Sequence, residues 1–311
     1  MGRHQIQYLH RNQIDTGKWD QCIDNAANGL IYARTFYLDC LTDDWDALVL
    51  GDYEAVMPLT WRKKIGIRYL YQPAFTQQLG IFTHVVITEE LVIAFLKEVE
   101  ARFRFAEIFL NYAHGVKALP ACANFVLSFQ RSYEQLQQNY KPGLVKSLKR
   151  CRRFNLTYCE EAGHKMVLHA YKEMYGGRMP HVSNEDYINF ETLCTFLPNE
   201  SRVVRVVKEN NQLLSAALML RYKNRLYLLV SVTWPEGRSR DAYHFLLDRV
   251  IHEFAESELT LDFEGSELPG VAHFYRSFGT IDQPYFFYHY NRLPWPLRLL
   301  KKQARGQQPS L

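Results

Sequence analysis

Two rhythms of apolar and polar positions alternate along this chain. Residues 89–102 (EELVIAFLKEVEAR) place apolar side chains three and four apart with charges between them, which predicts an amphipathic helix. Residues 240–257 (RDAYHFLLDRVIHEFAES) do the same in the second half. Shorter β-branched and aromatic runs separate these helices. In the first half a strand near 5–9 precedes helical segments near 19–26 and 36–41, then two strands about a Gly51-Asp52 turn and a short aromatic strand. FAEIFL (105–110) reads as a buried strand. The second half repeats the plan in RVVRVVKENNQLLSAALMLRYKNRLYLLVSV, followed by its helix and by ELTLDFEGS. The matching pieces stand roughly 155 residues apart, a period that fits a duplicated domain rather than a solenoid. The order strand, strand, strand, helix, strand in each half predicts two mixed α/β (α+β) domains of one type. Their expected extents are 1–135 and 136–295, with a basic tail over 296–311, and the helical stretch 132–154 is the expected junction.

Length agrees with this division: 311 residues exceed one ordinary core and suit two. Six cysteines are scattered without a CxxC pair, and the eleven histidines form no HExxH, so a metal or redox site is not expected. No GxSxG, Walker or dinucleotide glycine pattern occurs. No apolar run reaches the roughly 18 residues of a membrane span, and a soluble, cytoplasmic protein is expected. A net charge of +4 suits an anionic small ligand better than a dedicated nucleic-acid binder.

Candidate chemistry concentrates in LDFEGSELPGVAHFYRSFGT (261–280), where a core strand ends in carboxylates and runs into aromatics around Arg276. Asp262 and Glu264 are two apart and share a face on a regular strand. They read either as a proton acceptor for an amine or as a strand cap satisfied by backbone or Arg276. Phe274 and Phe278, four apart, read as core packing.

The run DFEGS…GVAHFYRSFG resembles a signature near the end of Fem-type acyltransferases, which are tandem domains of the GNAT fold. AVMPLTWRKKIGIRYLYQPAFTQQLGIF and VKSLKRCRRFNLTY fit the same pattern. The resemblance implies an N-acyltransferase that moves an acyl or aminoacyl group to an amine, with a cell-envelope precursor as one acceptor class. The co-substrate would be acyl-CoA or aminoacyl-tRNA, with no tightly bound cofactor and no metal. It implies catalytic roles for Glu264, Tyr275 and Arg276, although Tyr275 stands where the family usually carries lysine. It places the donor's phosphates at the helix after the central strand, near Ser231, Arg238, Ser239 and Arg240, where this chain has one glycine (Gly237) rather than a glycine-rich loop. Lys149, Arg152 and Arg153, in an acid-free run, are further phosphate candidates, or simply a solvated face. Arg34, Tyr71, Gln72 and Gln77, beside Gln78, fall where the family faces its acceptor, or form a loop that satisfies its own backbone. The expected partners are a small-molecule or peptide amine, tRNA, and a weak membrane-surface contact through the basic tail. The alternative is a catalytically degenerate protein of this fold that binds a phosphate-bearing or peptide ligand.

Overall fold

A computed structural model of the chain describes residues 5–114, 118–161, 163–265 and 268–301. The chain divides into two compact units: one runs through Cys122 and resumes at Pro284, and the other is Ala123–Gln283.

The first unit opens with β1 (Ile6–Leu9), α1 (Thr16–Asn25), α2 (Thr35–Leu41), β2 (Trp45–Leu50), β3 (Ala55–Lys64), β4 (Ile67–Leu70) and β5 (Phe82–Thr83). It continues with α3 (Glu89–Arg102), β6 (Phe105–Leu110) and β7 (Ala121–Cys122). The helix α3 has the predicted limits because local chemistry sets both ends. Thr88 Oγ1 accepts from Leu91 N at 3.3 Å, Glu89 and Glu90 sit at the positive end, and Arg102 closes the last turn. Its Val92, Phe95 and Val99 are buried against Leu48, Met57 and Leu59 of the sheet.

The second unit holds β8 (Phe125–Ser128), α4 (Tyr133–Gln137), α5 (Pro142–Cys151), β9 (Leu156–Glu160), α6 (His164–Tyr175) and α7 (Asn184–Phe196). Then follow β10 (Arg202–Glu209), β11 (Gln212–Tyr222), β12 (Arg225–Thr233), α8 (Pro235–Ser239), α9 (Ala242–Phe254), β13 (Thr260–Asp262), α10 (Pro269–Arg276) and β14 (Ile281–Asp282). The final strand β15 (Tyr285–Asn291) and the single turn α11 (Leu297–Leu300) belong to the first unit.

The two sheets share one plan. The first has strand order β1-β2-β3-β4-β6-β15-β7, with β5 beside β3; the second reads β9-β10-β11-β12-β13-β8-β14. In each, an antiparallel set of four meets one parallel junction, β4 with β6 and β12 with β13. The next strand is antiparallel in both sheets, and each half of the chain supplies it to the other. Residues of β8 lie against β13, while β15 pairs with β6 from Phe286↔Leu110 to Asn291↔Phe105. Phe125 and Leu127 thereby enter the second unit's core, and Tyr288 enters the first unit's. These are tandem duplicates of one mixed α/β topology, as the repeated pattern predicts.

Candidate functional site

Strand β13 pairs along its whole length with the first three residues of β12, from Arg225↔Thr260 to Tyr227↔Asp262. Strand β13 then stops while β12 runs on to Thr233, so the later part of β12 has no parallel partner from β13. Crevices of this kind are where open α/β sheets take ligands. A bulge sits in β12 beside the gap: Leu218 faces Val230 and Met219 faces Leu228, leaving Leu229 as the extra residue two places before Ser231.

The tip of β13 is built from two carboxylates with separate duties. Asp262 is fully buried, takes the Arg225 guanidinium at 2.6 Å and accepts from Glu264 N at 3.0 Å. Of its two sequence readings, the satisfied strand cap is the one this geometry matches, with Arg225 rather than Arg276 as the cation. Glu264 is itself buried and left-handed, with φ of 60°. Gly265 follows with φ of 53°, and a Cβ there would stand 2.1 Å from Ala123 O. The Glu-Gly pair is thus a fixed corner pressed against the backbone that enters β8.

A cavity of about 390 Å³ opens in the second unit, within the range of small-molecule sites. Its walls include Tyr171, Tyr175, Ser231, Tyr243, Phe274 and Tyr275, with the exposed Arg178 as its cation. Tyr171 and Tyr175 come one turn apart from α6, Tyr243 from the first turn of α9, and Phe274 and Tyr275 from α10. The ring of Tyr243 stacks on Phe274 at 5.2 Å, and Tyr275 packs on Phe263 at 5.0 Å. Phe278, by contrast, is fully buried in the core.

Burial pushes the Tyr275 hydroxyl well above its ordinary range, and neighbouring Tyr243, Tyr171 and the Glu264 carboxylate push the same way. Tyr275 retains partial solvent contact on its cavity side while protein surrounds the rest of the ring. The Tyr243 hydroxyl is also raised by burial, against an opposing pull from Ser231 and Tyr275. Its oxygen lies near both groups without a well-directed hydrogen bond to either. The cluster is therefore a set of neutral O–H donors with Glu264 within electrostatic reach.

The other residues singled out in the sequence fall elsewhere. Arg276 is exposed and pairs with Asp282 at 2.9 Å, its guanidinium over the Phe125 ring. In the α8–α9 turn, Arg240 is held by Glu209 at 2.6 Å, Ser239 Oγ donates to Glu236 O at 2.8 Å, and Arg238 is exposed beside Met174. Asp241 stands at the N-cap of α9 without a side-chain cap hydrogen bond, and its carboxylate lies 2.5 Å from Arg150 instead. Gly237 answers to packing, since a Cβ there would meet Leu214 O at 2.0 Å. Lys149, Arg152 and Arg153 are exposed at the end of α5.

In the first unit, Arg34 pairs with Asp20 and Asp24, at 3.1 and 2.5 Å, and the Tyr71 ring carries the Arg62 guanidinium at 4.1 Å. Gln72 stitches its loop to β6, accepting from Phe109 N at 3.0 Å and donating to Thr76 O at 2.9 Å. Gln77 is buried and accepts from Gln78 at 2.7 Å.

Of the predicted site residues, the structure thus brings Ser231 and Tyr275 to one cavity, with Glu264 near by. Sequence reasoning missed Tyr171, Tyr175, Arg178 and Tyr243. The i, i+4 spacing of Tyr171 and Tyr175 was the available signal. Among the described residues no group of His, Cys, Asp or Glu could hold a metal ion, and no helix is long and apolar enough to cross a membrane.

No family model matches the sequence, and no curated protein matches it. Solved structures do resemble it. FemX superposes with a TM-score of 0.63 at 14% identity, over 96% of this chain and 100% of FemX. A conserved protein of unknown function from Bacteroides thetaiotaomicron gives 0.56 at 11% identity, over 91% of this chain and 99% of that one. The C-terminal domain of a putative lysylphosphatidylglycerol synthetase from Agrobacterium fabrum gives 0.51 at 11% identity, over 92% and 94%. At these identities the likeness is one of fold.

Proposed function

We propose that this protein is an N-acyltransferase that moves an acyl or aminoacyl group to an amine, with the cavity of the second unit as its reacting centre. The observation that carries the reading is the meeting of Tyr275, Ser231 and Tyr243 in one cavity, with the Glu264 carboxylate within electrostatic reach of Tyr275. The fold shared with FemX is compatible with this reaction class, but fold alone does not choose a chemistry, so the reading rests on the cavity.

The amine nitrogen attacks the carbonyl carbon of a thioester or ester. A C–N bond forms and the C–S or C–O bond breaks. Glu264 takes a proton from the amine, and Tyr275, protonated because its pKa is raised, gives one to the departing sulfur or oxygen. Return of the proton from Glu264 to the tyrosinate restores both groups. The neutral hydroxyls of Tyr243 and Ser231 lie where they can steady a developing oxyanion. Acyl-CoA and aminoacyl-tRNA are the donor classes, and an amine of a cell-envelope precursor is the acceptor class. Donor phosphates are assigned to Arg238, Lys149, Arg152 and Arg153, with Arg240 and Ser239 tied up locally. The residues expected at the acceptor are engaged within the first unit, Arg34 by Asp20 and Asp24, Tyr71 by Arg62, and Gln72 and Gln77 by their own loop, and carry no part of the proposal.

One observation favours a second reading, a protein of this fold that binds a phosphate-bearing or peptide ligand without turnover. A carboxylate, Asp241, paired with Arg150, stands at the start of α9 where a donor's phosphates would lie. The two readings part on Tyr275→Phe and Glu264→Gln, assayed for transfer and for ligand binding. Transfer lost by about 10²-fold or more with binding retained supports catalysis. Transfer equal to the parent protein in both variants refutes these roles.

A further inference from the structure

Two acid-free stretches that are far apart in sequence meet on the first unit. Residues 61–72 (WRKKIGIRYLYQ) lie in the β3–β4 hairpin, and residues 292–301 (RLPWPLRLLK) begin just after β15. Neither contains Asp or Glu. Their meeting point is a slot of about 230 Å³ walled by Ile65, Ile67, Phe105, Leu293 and Leu297, with Lys64 and Lys301 as its cations. The hairpin tip is conspicuously apolar for an exposed turn: Ile65 is 77% exposed and left-handed at φ of 52°. Trp295, between Leu293 and Leu297 in the chain, is 80% exposed, and Leu299 is 52% exposed.

The charges around these side chains are of one sign. Arg62 and Arg68 are spoken for by Asp43 and Asp46, and Arg292 by Glu100. Lys63, Lys64, Arg298 and Lys301 enter no ion pair among the described residues. The Lys301 ammonium lies 5.4 Å from the Phe105 ring centroid, over the mouth of an apolar slot. Exposed Trp and Ile ringed by uncompensated lysines and arginine form a surface that water solvates poorly at its centre and an anionic sheet attracts at its rim.

We propose that this face docks the protein on an anionic lipid surface. Trp295 and Ile65 enter the headgroup layer, where an indole finds both apolar and hydrogen-bonding surroundings. Lys63, Lys64, Arg298 and Lys301 pair with lipid phosphates, and the slot between them takes up apolar chain from the outer part of the acyl region. Phosphates alone do not explain the exposed Trp and Ile, and apolar side chains alone do not explain the one-sided charge. A bilayer rich in anionic lipid satisfies both.

The test is flotation of the full-length protein with vesicles of phosphatidylcholine alone and of phosphatidylcholine mixed with phosphatidylglycerol, at low and high salt. The expected result is binding to the mixed vesicles at low salt, lost at high salt and absent with phosphatidylcholine alone. Lys64→Glu combined with Lys301→Glu abolishes binding. Trp295→Ala with Ile65→Ser reduces it to the phosphatidylcholine level while leaving the thermal midpoint unchanged, since both side chains are exposed. Failure to float with either vesicle, equal binding to both, or variants that bind like the parent would each overturn the proposal. Because the readout is flotation, its failure leaves the proposed transfer reaction untouched.

Discussion

Asp262, buried at the tip of β13, and Tyr275, half-buried on α10, take different parts. Tyr275 keeps its proton because burial disfavours the phenolate, so it can donate at neutral pH but cannot serve as a base there. Asp262 is closed off by Arg225 and by the Glu264 amide, and it stabilises the corner rather than meeting a ligand. Asp262→Asn removes the buried carboxylate charge that pairs with the Arg225 guanidinium, itself 13% exposed. We expect a loss of about 3–5 kcal/mol in urea unfolding, the cost of stranding a buried charge. A loss within the scatter of surface substitutions would show that Arg225 relaxes to solvent at little cost. The role of Asp262 was one of two open readings in the sequence, because the i, i+2 spacing of the acids is visible there and the position of Arg225, 37 residues earlier, is not.

At the scale of elements, the local pattern carries a long way. The limits of α3 follow from Thr88, two glutamates and an apolar stripe, all within fifteen residues. The strands of each hairpin follow from alternation and turn chemistry. What local pattern does not specify is the neighbour of a strand, and that is where the exchange of β8 and β15 lies. YFFYHYN reads as an aromatic strand in any company; its partner β6 is set by pairing across about 180 residues, for which periodicity carries no term. The tyrosines of α6 and α9 were hidden for a related reason. A helical tyrosine at i, i+4 spacing looks the same whether it faces a core or a cavity. The exchange has a direct consequence. A fragment spanning 123–283 holds every strand of its sheet and should fold alone. A fragment ending at 122 lacks β15 and leaves Ala106, Ile108 and Leu110 on an open edge. Circular dichroism and hydrogen exchange on both fragments should find protection in the first only. A stably protected 1–122 fragment would show that β15 is dispensable.

At the scale of the whole molecule, both units bury tyrosines whose hydroxyls are held protonated. Tyr288 in the first unit, and Tyr133, Tyr140, Tyr158, Tyr171 and Tyr275 in the second, all have raised pKa values, with burial as the largest cause. The unfolded chain releases these protons near the ordinary value of 10.0, whereas the folded chain holds them to higher pH. Above that point the unfolded state binds fewer protons, so stability falls as pH rises. The thermal midpoint should therefore be insensitive to these groups below pH 10 and drop steeply beyond it, with several protons released on unfolding. A flat midpoint through that range would mean that the tyrosines titrate in the folded state. The mild net charge of +4 conceals the segregation of cations onto the hairpin and the chain after β15, which only the folded arrangement brings together.

The most direct test of the central claim, that an acyl donor and an amine meet in the cavity of the second unit, is a thermal-shift screen of the parent protein and of Ser231→Phe, which fills that cavity. The ligands are acetyl-CoA, longer acyl-CoAs, free CoA, aminoacyl-tRNA and peptidoglycan precursors. A ligand that binds the native state raises the midpoint by mass action. At least one donor class is expected to raise the midpoint of the parent protein, and none that of Ser231→Phe. A donor-induced rise that persists in Ser231→Phe, or the absence of any rise across all donors, would contradict it.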